Sequence, residues 1–167
     1  MDIRVGDSAD VTAVLQMFDS AVAWLVTQGR TGQWGSEPFT GNAKREEQAA
    51  GWAAGGGMRI AVVDGQSAGC LVVGPPHEYV KPVDSELYVQ VLVIDQRFAG
   101  HGVGRALLER AYAEAEQLGV ELLRVDCYAG DDGRLVRYYE SCGFTRAEPF
   151  TVGQWLGMIL QREVRRT

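Results

Sequence analysis

The chain has 167 residues, enough for one ordinary domain with its own core and too few for two comfortable ones. Sixteen Lys and Arg against twenty-two Asp and Glu leave a net charge of -6, which argues against a chain-wide binder of nucleic acid or anionic membrane, because neutralising phosphates takes a basic face. At 46% hydrophobic residues the chain can bury a core, no apolar run is read as long enough for a bilayer span, and Met1-Asp2-Ile3-Arg4 opens no secretory signal.

With no internal repeat or linker composition, residues 1–167 read as a single domain. Residues 3–5 form a short apolar entry, expected as a strand. Ser8 as N-cap, followed by Val11, Val14, Leu15, Phe18, Val22 and Leu25, gives a helical apolar stripe that should stop near Gly29. Residues 30–41 are loop-like, with glycines and Pro38 around Trp34 and Phe39. Residues 42–54 form a second helix, closed by Gly55-Gly56-Gly57. Two β-rich runs, Met58–Val63 and 68–73, flank Asp64-Gly65, a hairpin signal.

Residues 85–94 give the clearest strand. Leu87, Val89, Val91 and Val93 line one face, and Glu86, Tyr88, Gln90, Leu92 and Ile94 the other. The second face starts polar and ends apolar, as a strand lining a cleft would. A helix over 104–118, a strand over Leu122–Tyr128, a short helix over 135–141 and a returning strand within 151–164 complete a mixed α/β layer fold. Cys70, Cys127 and Cys142 are odd in number and far apart. They match neither a disulfide framework nor zinc-ligand spacing, so no metal is expected and the chain reads as reduced and cytoplasmic.

The most informative stretch runs from Ile94 to Leu108. A strand enters Gly100-His101-Gly102-Val103-Gly104 and leaves as an amphipathic helix. Glycines let the backbone come close to a ligand, and a helix start offers unpaired amides and the positive end of a dipole. Together they make an anion site, with His101 and Arg105 adding local positive charge. A phosphate-binding P-loop lysine is missing. The third glycine of a dinucleotide fingerprint is replaced by Arg105 or Leu107, depending on the starting glycine. An oxidoreductase reading is therefore disfavoured.

This stretch resembles the [Q/R]-x-x-G-x-[G/A] signature of the GNAT superfamily of acetyl-CoA-dependent N-acetyltransferases, with Ala99 at its first position and Arg97 two residues earlier. Tyr139-Glu140-Ser141-Cys142-Gly143-Phe144 resembles the superfamily's Tyr-x-x-x-Gly-Phe at the end of its last helix, and Asp132 stands where many members carry Asn. The likeness covers residues 58–144. It implies a mainly antiparallel mixed sheet flanked by helices. It also implies that Leu92, Val93 and Ile94 hold the pantetheine arm of acetyl-CoA through their main chain. Ala99, Gly100, His101, Gly102, Val103 and Gly104, beside Arg105, would hold the pyrophosphate, Asp132 would contact the cofactor at the position of that Asn, and Tyr139 would sit near the thioester sulfur. A homodimer is a further expectation of the resemblance.

Acetyl transfer to a primary amine needs a base for the ammonium and an acid for the departing thiolate. Glu86, on the cleft-side face where several members place a catalytic Glu, is the base candidate, against a plain exposed acid at a strand start. Tyr139 is the acid candidate. Tyr88, on the same face as Glu86, and Trp34, in the N-terminal region that shapes acceptor pockets in the family, are substrate-binding candidates. The bland alternative for Trp34 is a loop anchor. Arg124 and Asp126 share a strand face and are read as a structural ion pair, with substrate contact as the alternative, while His77 receives no role. The acceptor is expected to be a small cationic amine. A protein or peptide amine and a non-catalytic acyl-CoA sensor are the other readings.

Overall fold

A computed structural model describes residues 1–166. Seven strands and four α-helices follow the order β1 (Asp2–Val5), α1 (Val11–Thr27), α2 (Ala43–Ala54), β2 (Met58–Val63), β3 (Gln66–Gly74), β4 (Glu86–Ile94), α3 (Val103–Leu118), β5 (Leu122–Tyr128), α4 (Arg134–Ser141), β6 (Thr145–Val152) and β7 (Trp155–Glu163). The strands hydrogen-bond in the order β1-β2-β3-β4-β5-β7-β6. The β4–β5 pair is parallel, whereas β1–β2, β2–β3, β5–β7 and β6–β7 are antiparallel. The result is the mixed, mainly antiparallel sheet with helices that the sequence implies. The chain forms two compact units, Met1–Val72 with Val91–Leu107 and Val73–Gln90 with Leu108–Thr167, and both β4 and α3 contribute to each.

In the first unit, α1 buries Val14, Leu15, Met17, Phe18 and Val22 against Phe39, Ala49, Met58, Ile60, Cys70, Val91 and Val93. Segment Ser8–Thr27 reaches 20 residues at a mean hydropathy of 1.3, long and apolar enough to cross a bilayer, which corrects the sequence reading. Its apolar stripe is used in this core. The cap differs as well. Asp7, not Ser8, caps a 3-10 turn at Ser8–Asp10, and Asp10 returns a bond to the Asp7 amide at 3.0 Å. Arg4 holds Asp10 at 2.7 Å and keeps its carboxyl below the usual range. Asn42 caps α2 through the Arg45 amide at 3.1 Å. Asp64 and Gly65 both adopt positive φ, 50° and 75°, giving the tight β2–β3 turn that their pairing predicts.

Strand β4 keeps its alternation, with Leu87, Val89, Val91 and Val93 all buried. Gly69 on β3 has a function in packing. A Cβ there would lie 2.8 Å from Val103, 3.0 Å from Ile94 and 3.2 Å from Leu107, so its bare backbone lets the start of α3 press onto the sheet.

The second unit pairs residues 86–89 of β4 with β5, β5 with β7 and β7 with β6. The sequence reading found one terminal strand where there are two. Strand β6 carries Arg146, Glu148 and Pro149, is exposed apart from a half-buried Phe150, and shifts register between Arg146 and Glu148. An edge strand needs no apolar alternation and tolerates proline, so its pattern is silent.

Candidate active site

In the first unit β4 runs into Asp95, which is nearly sealed. Its amide donates to Ala68 O at 2.9 Å, and the next amide, Gln96, donates to Ser20 Oγ at 2.9 Å. The Asp95 carboxylate accepts from the Arg97 amide at 3.0 Å and from the Arg97 guanidinium at 3.1 and 3.2 Å. This fixes the short turn Gln96–Phe98 that launches the glycines. Gly100 and Gly102 adopt φ of 81° and 74°, a region closed to most side chains, and a Cβ on either would meet nothing within 4 Å. Their backbone therefore faces open space.

The first intrahelical bond of α3 runs from the Ala106 amide to Gly102 O at 3.1 Å, so the amides of Val103, Gly104 and Arg105 precede any helical acceptor. His101 is exposed, and its Nδ1 donates to Phe98 O and Ala99 O at 3.1 and 3.2 Å, while Ala99 and Arg105 are exposed beside it. Glycines without steric neighbours, free helix-start amides and Arg105 form a cradle that fits a pyrophosphate. The β4–β5 ladder ends at Val89–Val125, so Leu92, Val93 and Ile94 have no β5 partner on that edge. Val93 is buried and its two neighbours are half-buried, which leaves main-chain groups as the available contacts.

The second unit carries the ionisable chemistry. Tyr88 lies opposite Arg124 in the ladder, so Glu86, Tyr88, Arg124 and Asp126 share one face. The structure does not leave Glu86 free as a base. Its carboxylate accepts from Arg124 Nη1 at 3.1 Å and from the Val83 amide at 2.6 Å, with side-chain exposures of 7% for Glu86 and 6% for Arg124. Arg124 is thus paired with Glu86, and the expected Arg124–Asp126 pair does not form. Tyr88, expected to line the acceptor site, is fully buried. Its hydroxyl donates to Asp126 Oδ2 at 2.5 Å.

Asp126, which the sequence offered as an ion-pair member or a substrate contact, meets two tyrosines instead, and the loop over it was missed. Gln90 anchors that loop, donating from Nε2 to Pro75 O at 2.6 Å and accepting from His77 Nε2 at 3.0 Å. Tyr79 then stacks between His77, at 5.1 Å, and Phe150, at 5.5 Å, and points its hydroxyl at Asp126 Oδ1 from 3.4 Å. Burial raises the Asp126 carboxyl above the usual range, against the lowering effect of the Tyr88 bond and of His77. Burial and the neighbouring carboxylate push both phenols up. The only sequence signal was the polar Arg124 and Asp126 on an otherwise apolar strand.

Tyr139 is 6% exposed on α4, its ring meeting Tyr138 and Phe144 edge-on at 5.5 and 5.9 Å. Burial raises its phenol well above the ordinary value, so it keeps its proton, and burial likewise pushes the Cys127 thiol up to about 12. Asp132 is exposed with φ 61° in the left-handed turn ahead of α4, and its carbonyl accepts from Arg137. Trp34, in the first unit, packs edge-on against Phe18 at 5.0 Å and against Phe39 at 6.5 Å, the loop-anchor arrangement. Among the described residues no group of three or more His, Cys, Asp or Glu is placed to hold a metal.

A strand running into a glycine turn at a helix start, in a mixed sheet of this order, is the arrangement that the resemblance to the GNAT superfamily implies. The Acetyltransferase (GNAT) family matches residues 21–144, and the chain belongs to that family. Mycothiol acetyltransferase of Propionibacterium freudenreichii subsp. shermanii is 45% identical over 58 residues, which is 34% of this chain and 18% of that protein. The chain therefore matches under a fifth of that relative's length. Among solved structures, ribosomal-protein-alanine N-acetyltransferase from Brucella melitensis superposes with a TM-score of 0.70 at 21% identity, covering 98% of this chain and 100% of that one. The structure of yncA from Salmonella typhimurium with its cofactor acetyl-CoA gives 0.69 at 20% identity, covering 100% and 95%. At these identities the likeness concerns the fold.

Proposed function

We propose that this GNAT-family chain transfers acetyl from acetyl-CoA to the primary amine of a small cationic molecule, by direct attack in a ternary complex. The observation that carries the reading is the glycine cradle. Two left-handed glycines with nothing against their Cα atoms, followed by the free amides of α3, form an anion site in a chain whose net charge is -6. That negative surplus favours a cationic acceptor.

When bound, acetyl-CoA supplies an acyl group activated as a thioester. Leu92, Val93 and Ile94 hold its arm through their main chain. Residues 99–104, with Arg105, hold its phosphates. The acceptor amine, with a pKa of roughly 10, is protonated near neutral pH and must lose a proton to expose its lone pair. As the C–N bond forms and the C–S bond breaks, Tyr139 gives its proton to the leaving sulfur. The second proton shed by the acylated nitrogen restores the phenol.

The test is thiol release from acetyl-CoA across polyamines, aminoglycosides, amino-acid derivatives and peptides with a free α-amine. Release with small amines supports the proposal, and release with peptides alone moves the acceptor to a protein or peptide. Acetyl-CoA binding without release on any amine makes the chain a non-catalytic acyl-CoA-binding module.

A further inference from the structure

We propose that Asp126, flanked by Tyr79 and Tyr88, is the site that binds the acceptor's ammonium group and takes its first proton. This assignment rests on the transfer reading above and replaces Glu86 as base. The two oxygens of Asp126 are unequal. Oδ2 is held by the buried Tyr88 hydroxyl at 2.5 Å, whereas Oδ1 has only the long 3.4 Å contact from Tyr79. Asp126 is half-buried, so part of it meets solvent.

No Lys or Arg pairs with Asp126 among the described residues, and the cation beside it in the sequence, Arg124, is committed to Glu86. A half-buried carboxylate without a Lys or Arg partner is costly, and such groups gather at functional sites. A primary ammonium supplies the missing charge with three N–H donors. The surrounding rings add to the match. Tyr79 is 48% exposed yet held between His77 and Phe150, and Phe150 continues to Trp155 at 6.0 Å. Aromatic faces attract cations and accommodate a planar or apolar carrier. The ligand class is therefore a primary ammonium on an apolar or planar body.

In the proton step an N–H bond of the ammonium breaks, its electron pair stays on nitrogen, and the proton passes to Oδ1 and then to solvent. A carboxyl raised by burial is a stronger base than a solvated one. Tyr88 is a positioning residue, since its hydroxyl stabilises the ionised form. The titratable groups facing Asp126 are His77, Tyr79 and Tyr88, and its charge also reaches Cys127 and Tyr139.

The probe is 2-phenylethylamine, with 2-phenylethanol as its uncharged control, titrated calorimetrically into the protein in the presence of CoA. The wild type should bind the amine at least tenfold more tightly than the alcohol. Asp126→Asn, an isostere that keeps an acceptor for Tyr88, should erase that preference while leaving acetyl-CoA affinity within twofold. With any amine that supports thiol release, the same variant should lower kcat/KM at least a hundredfold. Tyr79→Ala, at a half-exposed ring, should weaken amine binding severalfold even if Asp126→Asn folds poorly. In Tyr88→Phe the acid limb of the kcat/KM profile should move to higher pH, because the bond that lowers the Asp126 pKa is gone, and His77→Asn, which removes a weaker lowering influence, should move it the same way by less. A wild type without preference for the amine, or an Asp126→Asn variant equal to it in binding and turnover, overturns the site. Asp126-dependent amine binding with no thiol release on any amine would sink the transfer reading and leave the ammonium site standing.

Discussion

Glu86 and Asp126 lie on one sheet face of the second unit and meet different surroundings. Glu86 faces a buried guanidinium and an amide, so its charge is balanced inside the protein. Arg124 Nε is the one fully buried side-chain nitrogen or oxygen without a partner among the described residues, so this ion pair is already under-satisfied. Glu86→Ala should therefore cost about 3–5 kcal/mol in urea unfolding, as expected when one member of a buried pair is removed. Its milder neighbour Glu86→Gln should retain turnover in the fraction that folds. Turnover abolished in a stably folded Glu86→Gln would return the base role to that residue. Tyr139 is the counterpart on the acid side. Tyr139→Phe keeps the ring packing and should lower kcat roughly 10²-fold, with acetyl-CoA affinity nearly unchanged by calorimetry. Unchanged kcat would remove its hydroxyl from the chemistry.

At the scale of elements, the end of β4, the glycine turn and the start of α3 act as one piece. Asp95 fixes the turn by capping it, and Gly69 lets Val103 and Leu107 settle onto the sheet, which sets where the α3 amides point. Gly102→Glu tests the cradle. It forces a side chain into a left-handed conformation, costing about 1–2 kcal/mol, and sends a carboxylate into the space that the structure leaves open. The expected outcome is a folded protein, by circular dichroism, whose acetyl-CoA affinity falls at least a hundredfold. Retained affinity would mean that the phosphates are held elsewhere.

For the whole molecule, the surplus of six negative charges acts at long range. Screening shortens that range to about 10 Å at 0.1 M salt. Raising salt from about 0.02 M to about 0.3 M should therefore lower kcat/KM severalfold for a cationic acceptor and leave a neutral amine of similar size nearly unaffected. Equal salt dependence for both would confine the charge effect to solubility. On the proposed reading the acidic whole does not bar a polyanionic ligand, since backbone amides would carry much of the phosphate cradle.

What could be read from the sequence follows from short-range physics. The alternation of β4, the α1 stripe, the Asp64-Gly65 turn and the glycine turn each depend on residues within a few positions, where steric limits on φ and the strand and helix periods act directly. The same rules failed at β6, an exposed edge with nothing to alternate, and at Ser8, where Asp7 supplied the cap. Residue partners were another matter. Glu86 meets Arg124 and Tyr88 meets Asp126 across 38 positions, and Tyr79 reaches Asp126 across 47. Periodicity tells which face a side chain occupies. It does not tell which strand lies beside it or in which register, because burial of the whole sheet sets both. The sequence by itself determined the glycine turn and the family. Only the tertiary structure decided which carboxylate is locked in an ion pair and which is left open to a cation.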